Sequence, residues 1–362
     1  MRILTYILFL FLILDVSLTK ILGLSENKIR VSHEVFHHHF KPNKNFLSNN
    51  GKYGKHSIIT NSLGFRDFSK RDIKLDDKNR LILIGDSMTE GLLLDYDFTF
   101  AGLVSKYFTK QKIDVLNAGV MSYSPIIYYH KIKYYLDKGL QFSHLVVFID
   151  ISDIEDESEF YELDASGKAI IYQKDILESN KTLKKKIRKL LKNNFYITFA
   201  TFKFLDDQIV ERIWGAAGKV ITSEKEFIDH IASENYPRGS WTINKKIYDE
   251  RKEGVERSLK YMNLLNELLI KNNIKLTIAV YPWFTQVYHY DYDSIQVKIW
   301  EEFANDNNID FLNLFPIFVS ERPNQDDDIY QEIKENYIPY DVHFNKNGNK
   351  KIADFFIKNF KF

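Results

Sequence analysis

The stretch from Arg80 to Gly91, RLILIGDSMTEG, decides the fold. Its apolar run, Leu81 to Ile84, is typical of a buried strand in a parallel sheet. Gly85, Asp86 and Ser87 follow as a tight turn into a helix, in which glycine permits the turn and aspartate can cap or brace it. A serine at such a turn lies at the carboxyl edge of the sheet, where α/β folds bind ligands. The helix start also offers backbone N–H groups that can stabilise an oxyanion.

Short apolar runs separated by helical sequence continue along the chain, and they predict four more strands: Ile113 to Leu116, Leu145 to Ile151, Lys275 to Val280 and Ile309 to Leu312. An amphipathic helix over about 252–271 leads into the fourth of the five. The pattern predicts a three-layer α/β/α sandwich, flavodoxin-like, with a central and mainly parallel sheet. Residues 155–251 interrupt the alternation and are expected to form a mostly helical insertion.

Composition limits the function. The chain has 362 residues, a formal net charge of +1 and no cysteine. Near-neutral charge gives no field to attract nucleic acid, and the lack of cysteine excludes disulfides, thiolate zinc sites and a cysteine nucleophile. We expect residues 25–77 to form a loosely packed stem and residues 78–362 to form the main domain with its insertion.

Residues 1–24 resemble an export signal, because Arg2 precedes the apolar run Ile3 to Leu14. No small-x-small cleavage site follows, which favours an uncleaved signal anchor over a removed signal peptide; a buried helix of the fold is the remaining alternative. Arg2 would keep the N-terminus inside, so the rest of the chain is expected on the extracytoplasmic side, periplasmic or at the cell surface. The basic stretch Lys181 to Lys192 could lie on an anionic membrane, but a solvated helix face is favoured.

A second chemical signal stands near the other end, in YDVHFNKNGNKKIADFF. Asp341 and His343 lie there on a loop before the last helix. A serine hydroxyl becomes a good nucleophile when an imidazole takes its proton, and the imidazole needs an acceptor on its other nitrogen. Ser87, His343 and Asp341 therefore form a candidate catalytic triad.

These motifs resemble the SGNH/GDSL hydrolase family. Its first block matches Gly85, Asp86 and Ser87, and its last block matches Asp341 and His343. The segment VLNAGVMSYSP is similar to the family's second block, whose glycine gives a backbone N–H to the oxyanion hole. The resemblance thus implies oxyanion donors at Ser87 and Gly119, with Asn117 as a brace.

Two departures from the family pattern stand out. The third block usually supplies an oxyanion-binding asparagine in Gly-x-Asn-Asp, whereas VVFIDISDIEDE has Asp150, Ser152 and Asp153 there. Ser152 could donate its hydroxyl to the oxyanion, and Asp153 is expected to brace the loops, because its charge would repel an oxyanion. The acid and the histidine are also separated by one residue, where the family commonly has two.

The segment TNSLGFRD, Thr60 to Asp67, resembles one in a branch of the family that acylates exported polysaccharides. Arg66 could hold a carboxylate or a sugar hydroxyl there, although pairing with Asp67 or a carboxylate at the sheet edge is the more ordinary fate. Trp283 and Gln286 follow the fourth strand and could meet a sugar face, with a core tryptophan as the alternative.

The sequence therefore predicts a serine esterase or acyltransferase that acts through an acyl-enzyme on small esters or on acylated carbohydrate of the cell envelope. Acetyl is the expected acyl group. No cofactor or metal is expected, and a membrane-bound acyl-transfer partner fits a transferase. Two alternatives stay open: a non-catalytic carbohydrate-binding or assembly module on the same scaffold, and a zinc protease through His33, Glu34 and His37, which fit H-E-x-x-H.

Overall fold

The computed structural model describes residues 2–21, 29–49, 53–171, 190–191, 194–201, 223–319 and 328–362. The chain divides into two compact units. One comprises Met1–Ile29 with Tyr172–Thr222, and the other comprises Arg30–Ile171 with Ser223–Phe362. The central sheet and all three residues of the predicted triad belong to the second unit.

The central sheet has five parallel strands, and each coincides with a predicted apolar run within one or two residues. They are β5 (Arg80–Ile84), β6 (Asp114–Asn117), β7 (His144–Ile149), β10 (Lys275–Val280) and β11 (Asp310–Asn313). Their spatial order is β11-β10-β7-β5-β6. Numbered along the chain this is the 2-1-3-4-5 order of flavodoxin-like folds, in which ligands bind where the order reverses, beside the first and third strands. The predicted fold class is confirmed.

Helices connect the strands and cover the sheet. Their bounds are α2 (Ser87–Glu90), α3 (Phe100–Thr109), α4 (Pro125–Asp137), α5 (Asp153–Glu155), α6 (Glu224–Ile231), α7 (Lys245–Lys271), α8 (Phe284–Tyr288), α9 (Ile295–Asp306), α10 (Ile329–Asn336) and α11 (Lys346–Asn359). Short 3-10 turns span Tyr96–Phe98 and Phe315–Ile317, and a π-helical turn spans Asp156–Phe160. Helix α3 packs on α11, and α4 packs on α7. Right-handed crossovers place these two pairs on opposite faces of the sheet.

In the described part of the chain, the structure does not contain the separate stem that was predicted for residues 25–77. From Arg30 onward the chain belongs to the unit that carries the sheet, with two antiparallel hairpins, β1 (Arg30–His33) with β2 (His37–Phe40) and β3 (Asn45–Asn49) with β4 (Lys55–Ile59). Phe36, Phe40 and Phe65 are fully buried, so this segment contributes to the core and is not loosely packed.

The same hairpin removes the zinc-protease alternative. H-E-x-x-H binds zinc only when a helix places both imidazoles on one face, one turn apart. Here His33 ends β1, His37 begins β2, and the residues between them form the turn. His33 Nδ1 instead accepts from the backbone N–H of Val35, at 3.1 Å.

The first unit contains helix α1 (Arg2–Ile21). Asp15 is buried in it and caps a second segment of the same unit: its carboxylate accepts the backbone N–H groups of Ile197 and Thr198 at 3.0 and 2.8 Å. Within the ranges that the structure describes, no helix combines the length and apolar character needed to cross a bilayer. Nearly all of the basic stretch 181–192 lies outside the described residues.

The insertion predicted for residues 155–251 contains strands as well as helices. After the π-helical turn, strands β8 (Tyr161–Leu163) and β9 (Ala169–Ile171) form a third small hairpin. Residues 172–189, 192–193 and 202–222 lie outside the described residues, and α6 and the start of α7 follow them. Helix α7 begins at Lys245, seven residues before the predicted start, because Asn244 caps it through the N–H groups of Lys246 and Ile247.

Candidate active site

Ser87 is positioned by a turn that admits no side chain at residue 85. A Cβ on Gly85 would stand 2.2 Å from the Thr89 hydroxyl and 2.8 Å from the Phe148 carbonyl, so helix α2 can pack directly on strand β7. Asp86 caps the helix, since its Oδ1 accepts the N–H of Met88 at 2.8 Å. The turn thereby holds Ser87 at the carboxyl end of β5, beside the point where the strand order reverses.

The structure brings the three predicted triad residues together across 256 positions of sequence. His343 Nε2 lies 2.8 Å from Ser87 Oγ. The Asp341 carboxylate contacts Nδ1 of the same ring and also accepts the backbone N–H of His343, at 3.0 Å. The loop closes on itself, because Ile338 donates its N–H to the His343 carbonyl at 2.8 Å. A single intervening residue is therefore enough for the acid to reach the imidazole.

The charges in this group stabilise an imidazolium. Burial works against a charge on His343, but the hydrogen bond and charge of Asp341, with the more distant Asp86 and Asp150, raise the pKa of His343 above its ordinary 6.5. Burial also opposes the charge on Asp341, yet its hydrogen bonds and the charge of His343 hold the pKa of this carboxyl below its ordinary 3.8. This is the electrostatic arrangement required when an imidazole takes a proton from serine.

The Ser87 hydroxyl has one proton and two neighbours that could accept it. They are His343 Nε2 and Asp86 Oδ2, and the latter lies 3.0 Å from Ser87 Oγ. Burial and the nearby charge of Asp150 raise the pKa of Asp86 to about 7. In its protonated form Asp86 can donate to Ser87 Oγ, which leaves the serine proton directed at His343. In its charged form it favours the imidazolium of His343. Sequence analysis gave Asp86 the role of cap or brace, and the structure adds this contact with the nucleophile.

Three carboxylates lie together behind the serine. Among the described residues, Asp86, Asp150 and Asp153 are the one group with the spacing to hold a cation, with ligand oxygens within 4.8 Å of one another. Protein donors also fill the space: Trp283 Nε1 and Ser152 N bind Asp150 at 2.7 and 2.8 Å. Burial, together with the neighbouring carboxylates, raises the pKa of Asp153 well above 3.8. Asp86 and Asp153 therefore hold a proton more readily than an ordinary carboxyl group does, in a mainly protein-lined environment.

The two backbone N–H groups that were predicted to bind the oxyanion, those of Ser87 and Gly119, differ in the structure. The Ser87 N–H has no acceptor in the described part of the chain. The Gly119 N–H instead donates to Asn117 Oδ1 at 3.0 Å, so its predicted role is not supported. Gly119 is required for a different reason, because a Cβ there would lie 2.8 Å from carbon atoms of Thr89. Asn117 is a brace, as predicted, and its Nδ2 donates to the Thr89 carbonyl at 2.7 Å.

Ser122, in the loop after β6, was not among the predicted site residues. The backbone N–H groups of residues 118–121 and 123 all have acceptors, whereas that of Ser122 has none among the described residues. Ser122 has a φ of 59°, a left-handed conformation that is uncommon outside glycine. Such outliers are over-represented at functional sites. A serine gives no sequence signal for positive φ, so this residue could not be found from the motif.

Three side chains fix the loop that carries Ser122, and we call them the loop clamp: Glu90, His38 and Tyr161. Glu90 Oε2 accepts the Met121 N–H at 2.8 Å, and His38 Nε2 lies 2.9 Å from the Met121 carbonyl. The Tyr161 hydroxyl donates to the Ser122 carbonyl at 2.6 Å. Glu90 is fully buried and pairs with Arg30. The hairpin that contains the histidine-rich segment thus has a structural function at this site.

The residues in place of the usual asparagine lie inside the protein. Ser152 is 1% exposed and sits in the turn after β7, where its carbonyl accepts the N–H groups of Glu155 and Asp156. Asp153 accepts the Tyr128 hydroxyl at 2.8 Å and the Asp150 N–H at 3.1 Å, which matches the predicted bracing of loops. A hydroxyl this deeply buried does not offer an accessible oxyanion donor.

None of the three predicted substrate-binding residues can reach a substrate. Arg66 is 1% exposed and donates to four backbone carbonyls, those of Ser57, Glu90, Gly91 and Leu94, so it pairs neither with Asp67 nor with a ligand. Trp283 is buried against Asp150. Gln286 is fully buried and joins the Gly239 carbonyl to the Trp283 N–H. All three hold the site's framework together.

Comparisons with known proteins gave matches among solved structures alone. No family model matches the chain, and no curated protein matches it. A member of the lipolytic protein G-D-S-L family from Veillonella parvula is 11% identical, with a TM-score of 0.37, covering 78% of this chain and 97% of its own. A psychrotrophic esterase from Pseudoalteromonas sp. is 10% identical, with a TM-score of 0.36 and coverages of 78% and 96%. A GDSL-like lipase from Bacteroides thetaiotaomicron is 11% identical, with a TM-score of 0.37 and coverages of 79% and 90%.

Identities near one residue in ten and TM-scores below 0.5 carry no argument about activity. The strand order and the meeting of Ser87, His343 and Asp341 are properties of this chain itself. On these grounds the chain has the fold of the SGNH/GDSL hydrolases, which its motifs resemble.

Proposed function

We propose that this protein is a serine enzyme that breaks ester bonds through an acyl-enzyme. The observation that carries the proposal is the 2.8 Å contact between His343 Nε2 and Ser87 Oγ, with Asp341 on the opposite ring nitrogen. A neutral imidazole in this position can take the serine proton as Oγ attacks a carbonyl. Asp341 orients the ring and stabilises the imidazolium that forms.

The reaction proceeds in two halves. In the first, a bond forms between Ser87 Oγ and the carbonyl carbon, the bond to the alcohol oxygen breaks, and His343 passes its proton to that oxygen. In the second, water or a sugar hydroxyl gives a proton to His343 and bonds to the acyl carbon, the bond between that carbon and Ser87 Oγ breaks, and His343 returns the proton to Oγ. Water gives hydrolysis and a sugar hydroxyl gives transfer. No step needs a cofactor.

The oxyanion of each tetrahedral intermediate requires donors. We propose the backbone N–H groups of Ser87, at the start of α2, and of Ser122, in the loop after β6, because neither has an acceptor among the described residues. The loop clamp of Glu90, His38 and Tyr161 would hold the second donor in place. A preorganised donor avoids reorganisation during the reaction.

We also propose cell-envelope carbohydrate as the setting of the substrate and acetyl as the acyl group. The support is the resemblance of Thr60 to Asp67 to the polysaccharide-acylating branch, together with the apolar N-terminal run. With that run as an anchor, the catalytic unit would work on the extracytoplasmic side, and a membrane-bound partner could supply acyl groups. The buried Arg66, Trp283 and Gln286 do not support this part of the proposal.

One observation favours a binding module instead. Gly119 N–H is engaged and Ser152 is buried, so two of the three expected oxyanion donors are lost. Labelling with a fluorophosphonate, which reacts with activated serines, separates the two functions. We expect covalent modification of Ser87 by mass spectrometry in the wild type, and none in Ser87→Ala or His343→Ala. The exposed His230 on α6 gives the matched control His230→Ala, which should label normally. Unlabelled wild-type protein that is folded by circular dichroism would favour the binding module.

Hydrolysis and transfer are separated by product analysis. Purified protein is incubated with an acetyl ester, with and without oligosaccharide acceptors, and acetate and acetylated sugar are quantified by mass spectrometry. An esterase gives acetate in both reactions. A transferase gives acetylated sugar at the expense of acetate when the acceptor is present.

A further inference from the structure

An apolar pocket lies beside the triad and is not used by the mechanism above. Its volume is about 390 Å³, and six residues line it: Tyr53, Leu93, Leu94, Ile338, Pro339 and Tyr340. The volume lies within the range of small-molecule sites, which is roughly 300–1,000 Å³. Four of the six side chains are aliphatic and the other two carry aromatic rings. The lining therefore suits a ring or another compact group with an apolar face.

The residues that line the pocket are linked to both the catalytic acid and the nucleophile. Tyr340 immediately precedes Asp341, and the Tyr53 hydroxyl donates to the Tyr340 carbonyl at 2.7 Å. Burial and the charge of Asp341 raise the pKa of Tyr53 to about 12, which places its hydroxyl within the field of the catalytic acid. On the other wall, Leu93 and Leu94 follow the helix that begins with Ser87, and the Leu92 N–H donates to the Ser87 carbonyl at 3.1 Å.

The side of the triad on which the pocket lies determines which half of an ester it can hold. The imidazole must protonate the alcohol oxygen as that oxygen leaves, so the alcohol half lies on the side of His343. The proposed oxyanion donors come from the start of α2 and from the loop after β6, and neither Ser87 nor Ser122 lines the pocket. His343 does not line it either, but residues 338–340 of the loop that leads to His343 do. The pocket walls come instead from the Asp341 loop and from residues 93–94.

The backbone gives independent support. Leu93 and Tyr340 have φ angles of 68° and 57°, in the left-handed region that residues with large side chains seldom adopt. Both residues face the same pocket. Strain of this kind persists where the surroundings impose it, and it clusters at ligand sites.

We propose that this pocket binds the alcohol half of the ester, and that the alcohol carries a ring with an apolar face, either aryl or pyranose. The inference rests on the proposed function. In hydrolysis the pocket holds the leaving group, and in transfer it holds the acceptor before the acceptor attacks the acyl-enzyme. The acyl group then lies elsewhere, and its chain length is not selected by these six residues.

The experiment measures alcohol selectivity at a constant acyl group. The substrates are methyl acetate, phenyl acetate and a mono-O-acetylated methyl glucopyranoside, with methyl hexanoate as a test of the acyl side. The variants are Leu94→Trp, which fills the pocket, and Leu94→Ala, which removes contacts. Ile270→Ala, an exposed apolar residue on α7, is the matched control.

We expect the ratio of kcat/KM for the preferred ring ester to that for methyl acetate to fall about tenfold or more in Leu94→Trp. In Leu94→Ala it should fall roughly threefold, mainly through KM, because fewer apolar atoms meet the ring. The ratio for methyl hexanoate over methyl acetate should stay the same, and Ile270→Ala should change neither ratio. The ring ester whose ratio falls more in Leu94→Trp identifies the ring as aryl or pyranose, because the variant changes the pocket and leaves the intrinsic reactivity of the esters unchanged.

The inference is overturned if the hexanoate ratio changes while the ring ratios stay constant, or if neither ratio changes in folded Leu94 variants. Its failure is distinguishable from failure of the proposed function. Fluorophosphonate labelling of Ser87 with unaltered alcohol selectivity rejects the pocket alone. Absent labelling in folded wild-type protein rejects the enzyme itself, and the pocket assignment with it.

Discussion

The Asp341 carboxylate binds both the ring Nδ1 and the backbone N–H of His343, although only Val342 lies between the two residues. The carboxylate accepts hydrogen bonds from both groups within one tight turn. The geometry of the acid and the base is therefore set within this turn and does not depend on a contact with Ser87. The shorter spacing is therefore compatible with a complete triad.

Asp341→Asn should lower kcat by about 10³- to 10⁴-fold while leaving the fold intact, because an amide no longer fixes the tautomer or stabilises the imidazolium. The measurement is steady-state hydrolysis of an activated acetyl ester. Asp354→Asn, at an exposed position on α11, is the control and should retain full activity. A loss of less than tenfold in Asp341→Asn would show that another group orients the ring.

The pH dependence of kcat/KM should show a rising limb with its midpoint above 6.5. His343 must be neutral to accept the serine proton, and the raised pKa means that it becomes neutral only at higher pH. Removing a cause of the shift moves the limb: Asp86→Asn should lower the midpoint. Asp164→Asn, in an exposed turn, should not. A wild-type midpoint below 6.5 would contradict the electrostatics of the site.

Arg66→Lys should cost about 2–4 kcal/mol in the free energy of unfolding, because lysine cannot satisfy the four buried carbonyls that the guanidinium binds. Urea denaturation measures the change. Arg71→Lys is a suitable comparison, since its ion pairs are partly exposed and should contribute less than about 1 kcal/mol. Equal effects of the two substitutions would be inconsistent with a buried framework role for Arg66.

The loop clamp should make the fold sensitive to acid. Burial lowers the pKa of His38 to about 4 from an ordinary 6.5, so the unfolded chain binds a proton more readily between these values. Stability is therefore complete above pH 6.5 and is lost as pH falls toward 4, by up to about 3 kcal/mol from this residue. Urea midpoints at pH 7 and pH 5 should differ less in His38→Gln than in the wild type. His230→Gln should keep the wild-type difference.

The sequence predicted what depends on local pattern. Each strand of the sheet overlaps a short run of apolar residues, and Gly85-Asp86-Ser87 is constrained by the turn that it makes, so both were visible without the fold. The triad was also accessible, because its members carry distinctive chemistry and the sheet brings the carboxyl ends of its strands to one edge.

The framework residues could not be predicted in the same way. Arg66, Trp283 and Gln286 were expected to face a substrate because polar and aromatic groups near a sheet edge suit that role. Their actual partners are mainly backbone carbonyls and one carboxylate from distant segments, and local sequence does not encode such pairings. The loop clamp and the left-handed Ser122 were missed for the same reason.

The separation of 256 residues between nucleophile and base has a consequence for biosynthesis. A ribosome has made nearly the whole catalytic unit before residue 343 emerges. Until then the hydroxyl of Ser87 has no imidazole of His343 beside it, so a nascent chain would lack the general base of the proposed reaction.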